Sequence, residues 1–419
     1  VFSADRVRAP GSNLTTRIAK DAKVVKIDDH TVDFILTSPN PILNSQWDTW
    51  YIMDKEWAEA NNAVAPTPQA ATTPSFASLN ANGTGPFTIE SHQPGVKTVF
   101  KANPNWWRKP EHNLKEIVFT PISSDATRVA ALLSGEVDVI EPVPLQDIGR
   151  VDSSPNAQVL KGPEIRTIFL SMDQVRDELL YSSVKGKNPF KDVRVREAIF
   201  KAVDVELIKA RVMRGMSTPS ALMIAPQLFK LSGEFTRPKL DPDGAKKLLA
   251  EAGYPDGFEV RLNCPNNRYV NDEEICQAIV AMWARIGVKA TLAAENMATF
   301  IQKVQNFDSS IYLLGWGVAT YDAQYSLQSL IRTRTSGADG NFNFSKISDP
   351  VVDKAVDAMK SETDVAKRNA LIKEALVRTR DEMLVIPLHH QMRPWAMKQS
   401  VTTIHRSDDR PEVRYTTIK

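Results

Sequence analysis

FEVRLNCPNNRYVNDEEICQAIVAMWARIGVKATLAAENMATFIQKVQNFDSSIYLLGWG, running from Phe258 to Gly317, decides the fold class. Its first run, Val260-Arg261-Leu262-Asn263-Cys264, alternates apolar with polar and halts at Pro265, the pattern of a half-buried strand. Asn271 then stands where it can cap a helix whose Ile275, Ile279, Met282, Trp283 and Ile286 share one face. Glu274 is placed for a capping box and Gly287 for the stop. Val288 to Leu292 alternates again, a helix is expected from about Ala298 to Val304, and Ile311 to Trp316 is a nearly unbroken apolar strand. Strands joined through single helices run parallel. Their carboxyl ends therefore share one edge of the sheet, which is where open α/β folds hold ligands. The loops delivered to that edge are Pro265 to Tyr269, Ala294-Glu295-Asn296 and Gly317 to Tyr325.

The remaining chain extends this α/β pattern in both directions. Asp241, followed by Pro242, opens an amphipathic helix that stops at Gly253, and Asp192 opens another carrying Val195, Ala198, Ile199 and Ala202 on one face. A further helix is expected over Glu206 to Arg214. Pro86 to Glu90 and Val96 to Ala102 form a hairpin around Gln93-Pro94-Gly95, with a strand at Leu114 to Ile122 and a helix from Ser124 to Leu133. Helices at Pro350 to Lys360 and Val365 to Glu382 precede an apolar strand, Leu384 to Leu388. Ala63 to Pro74, rich in proline and threonine, is an exposed loop.

At 419 residues the chain exceeds one ordinary core, and two or three domains are expected. Its formal charge is only +2, from 52 basic and 50 acidic residues, with no dense basic run, so nucleic acid has no electrostatic purchase on it. No apolar stretch approaches the length of a membrane span. The two cysteines, Cys264 at a strand end and Cys276 on the next helix, could bridge across one βα unit; two buried thiols are the simpler reading.

Catalytic and metal signatures fail one by one. The six histidines show no zinc spacing, and the neighbours His389 and His390 point to opposite faces of a strand. Asn82-Gly83-Thr84-Gly85-Pro86 lacks the Lys-Ser/Thr of a phosphate loop, and no nucleophile elbow occurs. No cofactor and no metal is expected. At the sheet edge, Arg268, Asn267, Asn296, Asp322, Trp316, Tyr269, Tyr321 and Tyr325 pool one guanidinium, amides, a carboxylate and aromatic rings suited to a small polar solute. Each also has a plainer explanation. Trp316 could be core, Arg268 could pair with Asp272, and Asp322 could cap a helix starting near Gln324.

Several short runs, in this order, resemble the family 5 extracellular solute-binding proteins, the dipeptide, oligopeptide and nickel receptors of ABC importers. They are Gly83-Thr84-Gly85-Pro86-Phe87, Asn103-Pro104-Asn105-Trp106-Trp107, Gly135-Glu136-Val137-Asp138, Asn188 to Ile199, Ala245 to Phe258 and Leu314-Gly315-Trp316. The resemblance implies a two-lobed periplasmic-binding-protein fold, type II-like with an extra subdomain and a hinge of two crossover strands. On that pattern residues 1–82 are the remainder of the extra subdomain, 83–222 with 389–419 the first lobe, and 223–388 the second. Val1 to Arg6 resembles a point already inside the subdomain, so an upstream part of the first lobe is expected to be missing. Trp316 matches a pocket-lining tryptophan, and Arg268 lies close to the place of a carboxylate-binding arginine. Where peptide receptors hold the ligand's α-amine with an aspartate three residues after that tryptophan, this chain has Ala319.

The expected function is therefore a monomeric, non-catalytic receptor in the periplasm, or outside the cell on a lipid anchor. It would capture a peptide-like, opine-like or sugar-conjugated solute between two lobes and deliver it to ABC permease subunits. Two rivals stand beside it: a hydrolase using Asp322 and Glu295 as paired carboxylates, and a sensory or chaperone-like receptor on the same scaffold.

Overall fold

The structure, a computed structural model, describes residues 1–12, 14–68, 71, 73–337 and 339–419. Within the expected Ala63–Pro74 loop, residues 69, 70 and 72 lie outside the described residues. Contacts divide the chain into two units, Val1–Gly162 with Pro394–Lys419, and Pro163–Arg393. The expected boundaries at 222/223 and 388/389 both lie within Pro163–Arg393, the first between two strands of one sheet and the second inside the single strand Val385–Met392.

In chain order the main elements of the second unit are β1 (Pro163–Met172), α1 (Val193–Lys201), β2 (Ser217–Pro219), α2 (Pro242–Glu251), β3 (Phe258–Pro265) and α3 (Asp272–Ala284). They continue with β4 (Val288–Glu295), α4 (Met297–Gln305), β5 (Ile311–Gly317), α5 (Pro350–Met359), α6 (Val365–Asp381) and β6 (Val385–Met392). They form one six-stranded sheet in the order β4-β3-β5-β1-β6-β2. β3 is parallel to both β4 and β5, as strand-helix-strand order demands, whereas β1 runs antiparallel to β5 and β6. The carboxyl ends of β3, β4 and β5 therefore share an edge with the start of β1 and the end of β6.

Side-chain alternation sorts the two faces. Phe169, Tyr312, Leu314 and Trp316 pack with Phe300 and Val304 of α4, Val352 and Val356 of α5, and Ile372 and Leu376 of α6. The opposite parity, through Cys264, faces α3, to which it is joined by a Cys264–Cys276 disulfide. The simpler reading of two buried thiols is thus corrected, since the strand end and the second turn of the next helix bring the two Cα atoms within 6.6 Å. Trp283, fully buried on α3, donates its indole N–H to the Ile199 carbonyl of α1 at 3.1 Å, which satisfies the one polar atom that burial would strand.

Caps follow the sequence at Ser124, Asp192 and Asp241, each of which accepts a backbone N–H of its helix, and Asp364 caps the helix Val365–Asp381 in the same way. Asn271 does not. It takes a left-handed backbone, φ 53°, and its amide donates to the Val212 carbonyl at 2.8 Å, so no capping box forms. The helix expected over Glu206–Arg214 winds instead as a short α turn, Val205–Leu207, followed by π-helical Ile208–Val212. β1 was not foreseen as a strand at all.

The first unit contains the expected hairpin, Phe87–Gln93 with Lys97–Ala102, extended by Glu116–Phe119 into an antiparallel sheet. Its chain-terminal part returns as Trp395–Lys398 between Val139–Ile140 and Ala157–Leu160. A small cluster of Ala4, Val7, Ile18 and Ala22 holds the amino-terminal segment.

Candidate functional site at the sheet edge of the second unit

The loop after β3 is shaped by a buried carboxylate. Asp272 accepts the backbone N–H groups of Arg268 and Tyr269 at 3.0 and 2.9 Å, and that of Glu273 at 3.1 Å. Burial raises its pKa, against the pull of those three donors. The carboxylate therefore serves the backbone, not the Arg268 side chain, and the surface pair Arg268–Asp272 does not form. Tyr269, so positioned, lies over Gly315 and donates its hydroxyl to the Gly315 carbonyl at 3.1 Å. A Cβ at residue 315 would stand 2.6 Å from the Tyr269 ring and 2.8 Å from Ile168, so only glycine admits this approach.

Around Tyr269 the sheet edge gathers charge that sequence reading missed. Arg166 of β1 lies 5.7 Å from the Tyr269 ring centroid and Arg268 lies 5.4 Å from it. Arg166 donates to Glu164 at 2.7 Å; this carboxylate is only 1% exposed and also accepts from the Gln391 amide at 2.6 Å. Gln391 turns its carbonyl to the Val270 N–H at 3.1 Å, tying β6 to the same loop. Arg268 remains exposed at the rim, and among the described residues it has no carboxylate partner. Partial desolvation, then the neighbouring Arg166 and Arg393 guanidinium groups, lower its pKa. Glu164 and Arg166 were hidden because β1 was not recognised, and Gln391 because the expected strand Leu384–Leu388 stops short of the observed end of β6 at Met392. The β-branched run Ile165-Arg166-Thr167-Ile168 of β1 was the available signal.

The amides hold the edge together. Asn267 accepts the Met297 N–H at 2.8 Å, and Asn296 caps α4 by accepting the Thr299 N–H at 3.1 Å. Both carbonyl oxygens are thus engaged. Glu295 is bound by Lys303, and its second oxygen, Oε2, is buried without a partner. Asp322 does cap the short helix Ala323–Ser326, and both its oxygens also receive Arg368 at 2.8 and 2.7 Å.

Trp316 sits on the other face from Tyr269, 7% exposed, with its ring centroid 5.0 Å from Tyr325 and 5.0 Å from Phe342. It is substantially core, yet its indole Nε1 is buried with no acceptor. Tyr321 is partly exposed in a left-handed backbone, φ 54°. The structure thus brings Arg268, Tyr269, Asn267 and Asn296 to the ends of β3 and β4. Trp316 and Tyr325 pair on the opposite side of the β5 end, and Asp322 is withdrawn into an ion pair. Among the described residues no group of three or more His, Cys, Asp or Glu side chains is arranged to hold a metal, and no helix is long and apolar enough to cross a membrane.

Comparison with known proteins agrees with this architecture. Residues 1–338 match the model of the bacterial extracellular solute-binding proteins, family 5 Middle. The dipeptide-binding protein of Escherichia coli is 27% identical over 375 residues, covering 88% of this chain and 66% of that protein, so the chain spans just under two thirds of that relative. The solute-binding protein MoaA of A. tumefacien R10, solved in complex with mannopinic acid, superposes with a TM-score of 0.81 at 25% identity. The match covers all of this chain and 82% of MoaA. DppA from Helicobacter pylori, solved with the peptide STSA, superposes equally well, TM-score 0.81, at 21% identity over all of this chain and 80% of that one, which shows the shared fold. From strand order to family match, the chain belongs to the family 5 bacterial extracellular solute-binding proteins.

Proposed function

We propose that this protein is a periplasmic solute-binding receptor of an ABC importer, holding a small polar, peptide-like or opine-like solute and passing it unchanged to a permease. One observation carries the reading: Arg268, a guanidinium without a counter-ion among the described residues, stands where three parallel strands deliver their loops. An unpaired, partly desolvated cation at such an edge is matched when an anionic guest arrives. The named ligands of the relatives, a dipeptide, a peptide and mannopinic acid, are of this size and polarity. The chain passes between its two units twice, next to the paired strands β1 and β6, and these crossings are the candidate hinge of such a receptor. We read the units as its two lobes and the protein as a monomer.

The carboxylates favour binding over hydrolysis, because Asp322 is committed to Arg368 and Glu295 to Lys303. The test is mass spectrometry of the solute released from purified protein, followed by its titration back into emptied protein. Stoichiometric rebinding with unchanged recovery is expected. Conversion of the solute would replace this reading with the hydrolase.

A further inference from the structure

The loop after β3 is fastened to the two strands by which the chain enters and leaves the second unit, and this fastening readies the edge for a solute, a conclusion that rests on the receptor reading above. The backbone N–H groups of Arg268, Tyr269 and Val270 are all taken by side chains. Asp272, at the start of α3, accepts the first two at 3.0 and 2.9 Å. The third goes to Oε1 of Gln391 at 3.1 Å, a residue 121 positions away on β6. The amide nitrogen of Gln391 donates in turn to Oε2 of Glu164 on β1 at 2.6 Å, and the other oxygen of Glu164 accepts from Nε of Arg166 at 2.7 Å. Arg166 stands 5.7 Å from the Tyr269 ring centroid, and a Cβ at Gly317 would meet its guanidinium at 3.3 Å. The relay thus returns to the loop from which it starts. Pro163 and Arg393 bound the second unit, so Glu164 and Gln391 each stand beside a crossing.

The relay admits one arrangement. Glu164 is 1% exposed and Gln391 2%, so neither side chain is open to solvent. A carboxylate accepts and a backbone N–H donates, so the amide between them must turn its NH₂ to Glu164 and its oxygen to Val270. A buried donor or acceptor left unmatched costs more than the bond itself contributes. Apolar packing tolerates a small slide of a loop, whereas this chain of donors and acceptors does not. We infer that Glu164 and Gln391 are positioning residues of the solute site, acting through the backbone of 268–270, which they hold in its binding conformation. Without them the loop samples other conformations, and an arriving solute meets a competent one only part of the time. If the competent fraction falls to about one tenth, the apparent Kd rises about tenfold. The loss falls on association, because the contacts of the bound state are those of the wild type.

The test swaps the two side chains in the whole chain. Glu164→Gln leaves one amide facing another, and Gln391→Glu sets two carboxylates against each other. The double variant Glu164→Gln/Gln391→Glu restores every bond: the introduced amide accepts from Arg166 and donates to the introduced carboxylate, which accepts from Val270. The solute released from purified wild type, identified by mass spectrometry, is mixed with each emptied protein in stopped-flow fluorescence, and deuterium exchange of the Val270 amide is followed without solute. Each single variant is expected to bind at least tenfold more weakly through slower association, with dissociation within twofold of wild type, and to exchange at Val270 at least tenfold faster. The double variant should return affinity, association and exchange to within threefold of wild type. Unchanged affinity in the single variants, a loss carried by dissociation, or a double variant no better than the singles would each overturn the inference and leave the receptor reading intact. Where a single variant does not fold, the double variant decides, wild-type affinity supporting the relay and its loss overturning it. A wild type that releases no solute and binds neither alanyl-alanine nor mannopinic acid would overturn the receptor reading instead, while Val270 exchange across the variants still decides whether the relay holds the loop.

Discussion

Arg268 and Tyr269 show how one turn of chain couples packing to chemistry. The Tyr269 ring is buried against Gly315, and the same residue's backbone N–H is pinned by Asp272. Gly315→Ala forces a methyl group against the Tyr269 ring and Ile168, and a destabilisation of about 1–3 kcal/mol is expected in urea unfolding. The solute affinity should fall with it, because Tyr269 must move. An alanine variant with wild-type stability would show that the contact is soft. Histidine supplies a second residue-scale effect. Burial, then the adjacent His390 and Arg237, lowers His389 to about 3, and burial lowers His390 to about 4. Both rings are neutral in the folded chain and take a proton near pH 6.5 when unfolded. Stability is therefore complete above pH 6.5 and declines as pH falls from there toward 4 and 3, by up to about 1.4 kcal/mol per pH unit for each ring. Denaturant titrations between pH 7 and 5 check this, and His390→Gln should remove one proton's share of the slope.

At the scale of elements, the β3–α3 unit is the best-braced part of the edge. The disulfide closes a loop with a sequence separation of 12 residues, from strand end to helix. Replacing both cysteines with serine should cost about 2–4 kcal/mol in unfolding free energy, measured with wild type in the presence and absence of reductant. No difference between the two proteins in oxidising buffer would remove the bridge from the account. Capping offers a smaller lever. Asn296→Ala leaves the Thr299 N–H without its acceptor, and a loss of about 1 kcal/mol is expected. The elements read most easily were those with strong periodicity and local stops, such as α2 between Asp241 and Gly253. β1 escaped because its inner residues Ile168 to Met172 are buried on both faces, which erases alternation.

For the molecule as a whole, a receptor of this type is stabilised by its solute through mass action. At a free concentration one hundred times Kd, the solute released from the purified protein should add about 2.7 kcal/mol to the stability of the unit that binds it. A rise in its melting temperature of roughly 5–10 °C corresponds to that gain. Differential scanning calorimetry of the emptied protein with and without that solute measures it, and an unchanged transition would contradict the receptor reading. The α/β class, the parallel β3, β4 and β5, their common edge and the loops that reach it were all determined by local sequence: apolar period, caps, glycine stops and the rule that single crossovers make strands parallel. Tertiary structure alone decided which of the charges gathered there remain unspent. Asp322 was claimed by Arg368, 46 positions along the chain, Glu164 by Gln391, 227 positions along, and Cys264 by Cys276 across a strand–helix turn. Local pattern fixes where a side chain is carried, but the partner that neutralises it is chosen by distance in space, which no run of neighbouring residues encodes.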